Sequence, residues 1–413
     1  MRIQIVTSRR DLAASLLAVA AACTAATSAP GNAAPAAPLP ASPAMPARTG
    51  SVSPSVTPAD AASALPSPAS TGAVVGSAAA TSPITAATVL VAVDDGPATD
   101  RPAYARVDQR VVLYAALVAT ASATGARTLF TDAPRPKLTT RGLRGLPVAP
   151  LAAAPRASLA WARIEPTSNN LSNGDGSTFH YEPITYAATP LPATDSASSR
   201  VADVRPTLTP DHTAGTGVGT MRYQLVATQG ERSIASPGID ARRGGSSGGL
   251  TDAVARVSIR RDDTFLGYLT EMFNQPYIWA SAGSSDVAHQ SEHLEGSDCA
   301  DLMVYGARRM GLRVAYTWTG GLPDITQRLA AGARGPDGIY RDATGAPLPF
   351  TRPGDLILFT RHVGALAEDH GTPGVLDDQD VIIHTLFDSP KWQAIADTGY
   401  ADTPVELRRF RAR

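Results

Sequence analysis

Three side chains in the last third of the sequence have the types needed for acyl chemistry: the thiol of Cys299 and the imidazoles of His362 and His384. A deprotonated cysteine is a strong nucleophile, a histidine can take its proton, and a third polar group can hold that histidine in the useful orientation. Such a set opens amides through a thioester. The sequence around each residue favours this use. Gly296-Ser297-Asp298-Cys299 precedes ADLMVYGARRMG, in which Cys299, Met303, Gly306, Ala307 and Met310 fall on one helical stripe and Gly311 supplies a stop. Cys299 therefore begins a helix capped by Ser297 or Asp298, a position expected to favour the thiolate. His362 lies in RHVGALAED and His384 in DVIIHTLF. Both runs read as strands, expected to form an antiparallel sheet with RPGDLILF against the Cys299 helix.

A second constellation competes. His289-Gln290-Ser291-Glu292-His293 spells H-x-x-E-H, which on a helix would put two histidines on one face for zinc with the glutamate as base. Its flanks, Gly283-Ser284-Ser285 and Gly296-Ser297, leave it without an apolar face. It reads as a polar loop bordering a groove, and no metal or other cofactor is expected.

The elements that must position these residues follow from the pattern. Asp262 can cap a helix over 263–274, with Phe265, Leu269, Met272 and Phe273 on its apolar face, ended by Pro276. Between the Cys299 helix and RPGDLILF lies a long segment, 312–352. It holds Trp318, an expected helix near 324–332 and a hairpin-like GIYRDATGAPLPF. Asp377-Asp378-Gln379-Asp380 reads as a solvated loop tip.

Before residue 250 no catalytic cluster is visible. Residues 86–240 contain short β-prone runs between turns, such as QRVVLYAALVAT, SLAWARIEP, FHYEPITYAA and MRYQLVATQG, and read as an antiparallel sandwich of unassigned role. His180 and His212 stand alone there and read as surface or core histidines. GGSSGG (244–249) reads as a hinge. Residues 30–85 form an Ala/Pro/Ser/Thr-rich linker with only Arg48 and Asp60 charged. It has too little apolar material to offset the entropy of ordering. Residues 1–29 read as an export signal: Arg2, Arg9 and Arg10, then the apolar run Leu12–Ala22, too short to span a bilayer. Ser8-Arg9-Arg10-Asp11-Leu12 resembles the twin-arginine motif; an ordinary secretory signal is the alternative. Cys23 after AVAAA offers a lipoprotein-type anchor as the single membrane attachment. The net charge of −1, from 36 Lys+Arg and 37 Asp+Glu, argues against a nucleic-acid binder. Two cysteines are too few for a disulfide scaffold. After signal removal Cys299 is unpaired in an oxidising compartment, a liability unless it is buried or used.

Five stretches in order, PYIWASAG, DCADL, RPGDLILF, RHVGAL and VIIHTLF, resemble the NlpC-type papain-like cysteine peptidases, which cut peptidoglycan stem peptides. The family pattern runs PYxWGG, DCSG at a helix start, PGDLVFF, HVGIY, then a strand ending IHA. The resemblance spans about 265–390. It implies an α+β, papain-like domain over 255–413, a Cys-bearing helix packed on an antiparallel sheet, behind the β-sandwich. It also implies Cys299 as nucleophile, His362 as general base and His384 as its orienter. Tyr277 would help hold the oxyanion and Asp298 the free amino end of the stem peptide. The family's Ser and Gly after the nucleophile are Ala300 and Asp301 here, and its paired glycines are replaced by Ala280-Ser281-Ala282-Gly283, which puts the usual bond specificity in doubt. The resulting expectation is an exported cell-envelope hydrolase acting on peptidoglycan peptides. The alternatives are a thioester-based acyltransferase or deamidase, and a non-enzymatic envelope lipoprotein that binds a partner through its β domain.

Overall fold

The computed structural model describes residues 74–75, 82–174, 178–193, 198–243 and 248–411, which belong to one compact unit. The expected signal peptide with Cys23, nearly all of the expected linker, and residues 244–247 of the expected hinge lie outside the described residues.

Two sheets share a core in the first half. The larger has seven strands. Its main path runs Val74–Val75, Ala157–Pro166, Gly219–Gln229, Ala255–Arg260 and Ala103–Arg106, and Tyr186–Pro190 and Arg232–Ala235 pair alongside. The other is ordered Ser199–Val201, Val111–Thr120, Arg127–Thr131 and Val148–Ala149, with Ile84–Val93 on Val111–Thr120. The two-residue period of a strand divides Val111–Thr120 between two apolar clusters. Leu113, Ala115 and Leu117 meet Trp161, Tyr223 and Leu225 of the facing sheet. Ala116 and Val118 on the other face meet Leu90, Ala92 and Leu129.

A second seven-stranded sheet fills the C-terminal half. Its order is Tyr340–Arg341, Thr326–Arg334, Val405–Phe410, Leu356–Leu358, Val363–Glu368, Val381–His384 and Lys391–Ala394. One face joins a core with Leu302, Met303 and Val304 through Leu356, Val363, Ala365 and Ile383; the other buries Ile357, Leu366, Ile382 and Leu407.

The halves are stitched together. Ala255–Arg260, within the range expected to open the catalytic domain, is a strand of the N-terminal sheet, antiparallel to Gly219–Gln229 and parallel to Ala103–Arg106. Asn170–Ser172 pairs in parallel with Tyr277–Trp279.

The expected α+β, papain-like fold is overturned. The described chain is mostly β, and its three α-helices are short: α1 (Phe265–Leu269), α2 (Cys299–Arg309) and α3 (Leu322–Ile325). Two expected helices account for the difference. The one over 263–274 shrinks to α1 and a 3-10 turn, Thr270–Met272, because the chain reverses at Asn274 in the left-handed region (φ 68°). Its cap is Thr264, which accepts the Gly267 amide at 3.1 Å, and Asp262 instead accepts the Thr264 amide at 2.9 Å. The one near 324–332 becomes the strand Thr326–Arg334. Local helix propensity in RLAAGAR yields there to antiparallel pairing with Val405–Phe410, eighty residues on. Gly332 permits a close approach in that strand, since a Cβ there would sit 2.1 Å from the Arg341 carbonyl oxygen.

The acidic run is also more than a loop tip. Asp377 and Asp380 are buried and accept the amides of Thr372, Gln379, His370 and Asp377 at 2.7–3.0 Å. Asp378 pairs with Arg334, and burial lifts the Asp380 carboxyl to about 7.

A buried carboxylate fixes α2 to the N-terminal sheet. Glu271 is fully buried and accepts Tyr305 Oη at 2.5 Å, Arg309 Nε at 2.8 Å, Arg309 Nη2 at 3.0 Å and Arg260 Nη1 at 3.3 Å. Removing one member of such a set strands the other charges in a low dielectric. Glu271→Ala is expected to lose about 3–5 kcal/mol of unfolding free energy, read from the shift of a urea midpoint. A shift no larger than that of a surface substitution would contradict this.

Candidate functional site

Cys299 is the first residue of α2. Asp298 is its N-cap: one carboxylate oxygen accepts the Ala300 and Asp301 amides, each at 2.9 Å. The loop ahead of the cap is held from the N-terminal half. Buried Arg222, on Gly219–Gln229, donates to Gln275 Oε1 at 3.0 Å and to the Leu294 carbonyl at 2.8 Å. Asn173 donates to the Ala280 carbonyl at 3.1 Å and to Gln290 Oε1 at 2.7 Å. The Tyr277 amide donates to the Asn169 carbonyl at 2.9 Å.

His289 and Glu292 of the H-x-x-E-H run are engaged with other side chains. The motif forms turns, with the Glu292 amide donating to the His289 carbonyl. His289 stacks on Tyr316 (centroids 3.7 Å apart, 6° between planes), and its Nε2 lies 3.4 Å from Asp301 Oδ2. Glu292 pairs with Arg308 and accepts Tyr316 Oη at 3.1 Å. No cluster of three metal-ligating side chains occurs among the described residues. Ser281 ties this region to the nucleophile, accepting the Asp298 amide at 3.0 Å and donating to Asp301.

The two histidines do come together. His362 Nε2 lies 2.8 Å from His384 Nδ1, and His384 Nε2 lies 2.7 Å from Gln393 Oε1. His384 faces Lys391 across the ladder, with Gln393 its diagonal neighbour on the same face. His362 sits in the turn before its strand, closed by the Phe359 amide donating to the His362 carbonyl at 2.9 Å. His362 Nδ1 is buried and has no hydrogen-bond partner among the described residues. The next residue, Val363, directs its amide at the Cys299 sulfur. Tyr400 stacks on His362 (4.9 Å, 28°) and lies within electrostatic reach of Cys299. Tyr277 also lies within electrostatic reach of Cys299, and its ring packs edge-on against Phe387 at 5.5 Å.

The electrostatics revise the expected thiolate. Cys299 is a free thiol, 8% exposed. Burial, and then the neighbouring Asp298 carboxylate, push its pKa well up, outweighing the Val363 and Ala300 amides that favour the anion. Burial, and secondarily His384, hold His362 well below the usual histidine value. Burial lowers His384 to about 4, although the Gln393 bond opposes the shift. Burial raises Asp298 to about 6 against its two amide bonds. Burial, then Asp298, raises Asp301 well above the carboxylate range. The resting pair is therefore a neutral thiol and a neutral imidazole. The rate of Cys299 alkylation by iodoacetamide is expected to keep climbing with pH beyond ~8.5, the ordinary thiol value. A plateau already at neutral pH would show a resting ion pair instead.

Three further contacts, all to Asp388, had no signal in the sequence. His212, which reads as an isolated histidine, places Nε2 2.8 Å from Asp388 Oδ2. Asn169 donates to the same carboxylate at 2.5 Å, and Lys391 Nζ approaches it at 3.0 Å. Burial works against ionisation of Asp388, but these partners keep its carboxyl well below the usual range. The loop between His384 and Gln393 is thus pinned from the N-terminal half. His180 is exposed.

Among protein-family models, characterised proteins and solved structures, none matches the chain.

Proposed function

We propose that the protein is an exported cysteine hydrolase that opens amide bonds in peptidoglycan stem peptides through a thioester on Cys299. One observation carries this reading. The partnerless Nδ1 of His362 heads a His362–His384–Gln393 chain, one residue from the amide that meets the Cys299 sulfur.

In the first step the thiol proton passes to His362 Nδ1 as sulfur attacks the amide carbon. The Cys299 backbone amide, the first of α2, would stabilise the developing oxyanion together with the Tyr277 hydroxyl, because the next two amides are taken by the Asp298 cap. As the tetrahedral intermediate collapses, the C–N bond breaks and His362 gives its proton to the departing amine. A water molecule, deprotonated by His362, then attacks the thioester carbon; the C–S bond breaks, the acid leaves and the proton returns from His362 to the Cys299 sulfur. The order of the five sequence stretches supports a stem-peptide substrate, and the Asp298 carboxylate beside the nucleophile would meet its ammonium. Ala300 and Asp301 mark where this chain departs from the resemblance, so the scissile bond is its own to define.

Purified peptidoglycan incubated with the full chain, followed by mass spectrometry of the soluble peptides, tests the reading. New amine and carboxyl termini, missing with Cys299→Ala, are expected. No cleavage by the unsubstituted protein between about pH 6 and 9, which brackets ordinary His and Cys titration, would overturn it. Incorporation of an added amine would reassign the thioester to acyl transfer. The isolated 255–413 segment is unsuited to this experiment, because Ala255–Arg260 belongs to the N-terminal sheet and Arg222, Asn173 and His212 hold the site's loops.

A further inference from the structure

We propose that Gln393 is a positioning residue that sets the protonation pattern of both histidines and so keeps the lone pair of His362 on Nδ1. The proposal rests on the cysteine-hydrolase reading for its consequence, while its own content is a tautomer that can be measured without activity.

Gln393 Nε2 donates to the Asp397 carbonyl at 2.8 Å, which fixes the amide with Oε1 toward His384; the reverse orientation would set two acceptors against each other. An oxygen acceptor 2.7 Å from His384 Nε2 requires the proton there. Neutral His384 then offers a lone pair at Nδ1, so the proton in the 2.8 Å bond between the rings belongs to His362 Nε2. His362 Nδ1 is left unprotonated, and it is the ring nitrogen without a partner. The chain thus delivers a base whose free lone pair is on the right nitrogen before substrate arrives. Without the Gln393 oxygen the mirror pattern becomes available. His384 would carry its proton on Nδ1 and donate to His362 Nε2, and His362 would carry its own on Nδ1. Both rings stay neutral in either pattern, but the second has no base at Nδ1. The charged and titratable groups around the pair are Asp388 and Lys391 toward His384, and Cys299, Tyr400 and Arg361 on the His362 side. None of them offers His384 Nε2 another acceptor bond in the structure.

The test is long-range proton–nitrogen NMR of the full chain labelled with 15N-histidine, with the rings assigned through His362→Gln and His384→Gln. At slightly alkaline pH the unsubstituted protein is expected to show His362 protonated on Nε2 and His384 protonated on Nε2. Gln393→Met, similar in volume but without the acceptor, is expected to populate the mirror pattern. It should also lower kcat by about 10²-fold, the low end of what a general base contributes, with KM little changed. Gln393→Glu keeps the acceptor and the pattern, and its negative charge should raise the histidine pKa values and move the acid limb of the rate profile upward. A protonated His362 Nδ1 in the unsubstituted protein would overturn the proposal, whether or not Gln393→Met folds. A kcat loss in Gln393→Met with an unchanged ring pattern would overturn it too. If no hydrolysis occurs at all, the functional reading fails while the ring pattern still decides this one.

Discussion

Replacing Cys299 with alanine is expected to reduce peptide release by about 10⁴-fold or more, the scale seen when a covalent nucleophile is deleted from a working set. Cys299 is the sole cysteine among the described residues and is the one group placed at the start of α2 that can form a thioester. The following residue is Ala300, and the Ser281 hydroxyl is engaged with Asp301 and the Asp298 amide. The substitution should leave the fold intact, because a thiol-to-methyl change at a position bonded mainly through its backbone removes about 1 kcal/mol of packing. Circular dichroism and the urea midpoint check the fold, and mass spectrometry of released peptides checks the rate. Full activity in a folded Cys299→Ala protein would remove the thioester mechanism.

His362→Ala is the second large effect. Loss of a general base is worth roughly 10²–10⁴-fold in kcat. In the native chain both ring nitrogens of His384 are engaged, Nδ1 with His362 and Nε2 with Gln393, whereas His362 Nδ1 is buried without a hydrogen-bond partner among the described residues. His384→Ala should therefore cost less than His362→Ala, and an equal or larger loss would reverse the two roles. The pH profile adds a sign. Burial and His384 hold His362 well below the ordinary histidine value, so the base stays unprotonated as pH falls through that value. The acid limb of kcat/KM is expected below about 6.5, the unperturbed value. A limb above it would mean that substrate or solvent enters and relieves the desolvation.

Local and long-range interactions decide α2 and Thr326–Arg334 differently. At α2 the helix runs Cys299–Arg309, its stripe is buried from Cys299 to Ala307, and Asp298 caps it, all close to what the spacing predicts. Caps and helical periodicity act within a few residues, so they are written locally. Thr326–Arg334 has helical composition and becomes a strand, because its partner lies at the far end of the chain. That change, with the shortening of α1, turns an expected α+β domain into a mostly β one.

The same division holds for the site. Sequence alone singled out Cys299, His362, His384, Tyr277 and Asp298, and its strand runs coincide with Val111–Thr120, Ala157–Pro166, Gly219–Gln229, Val363–Glu368 and Val381–His384. It gave no sign of Gln393 or Tyr400, whose roles exist only after a hairpin register and a loop bring them beside the histidines. Nor did it show that His212, Arg222 and Asn173 from the first half hold the loops of the second. It also misjudged the sign of the Cys299 shift. A helix start favours the thiolate through dipoles readable one turn at a time, but burial and a neighbouring carboxylate oppose it. Desolvation depends on everything packed around an atom. Residue types and local spacing were therefore fixed by the sequence, while register, burial and the resulting proton positions were decided by the tertiary structure.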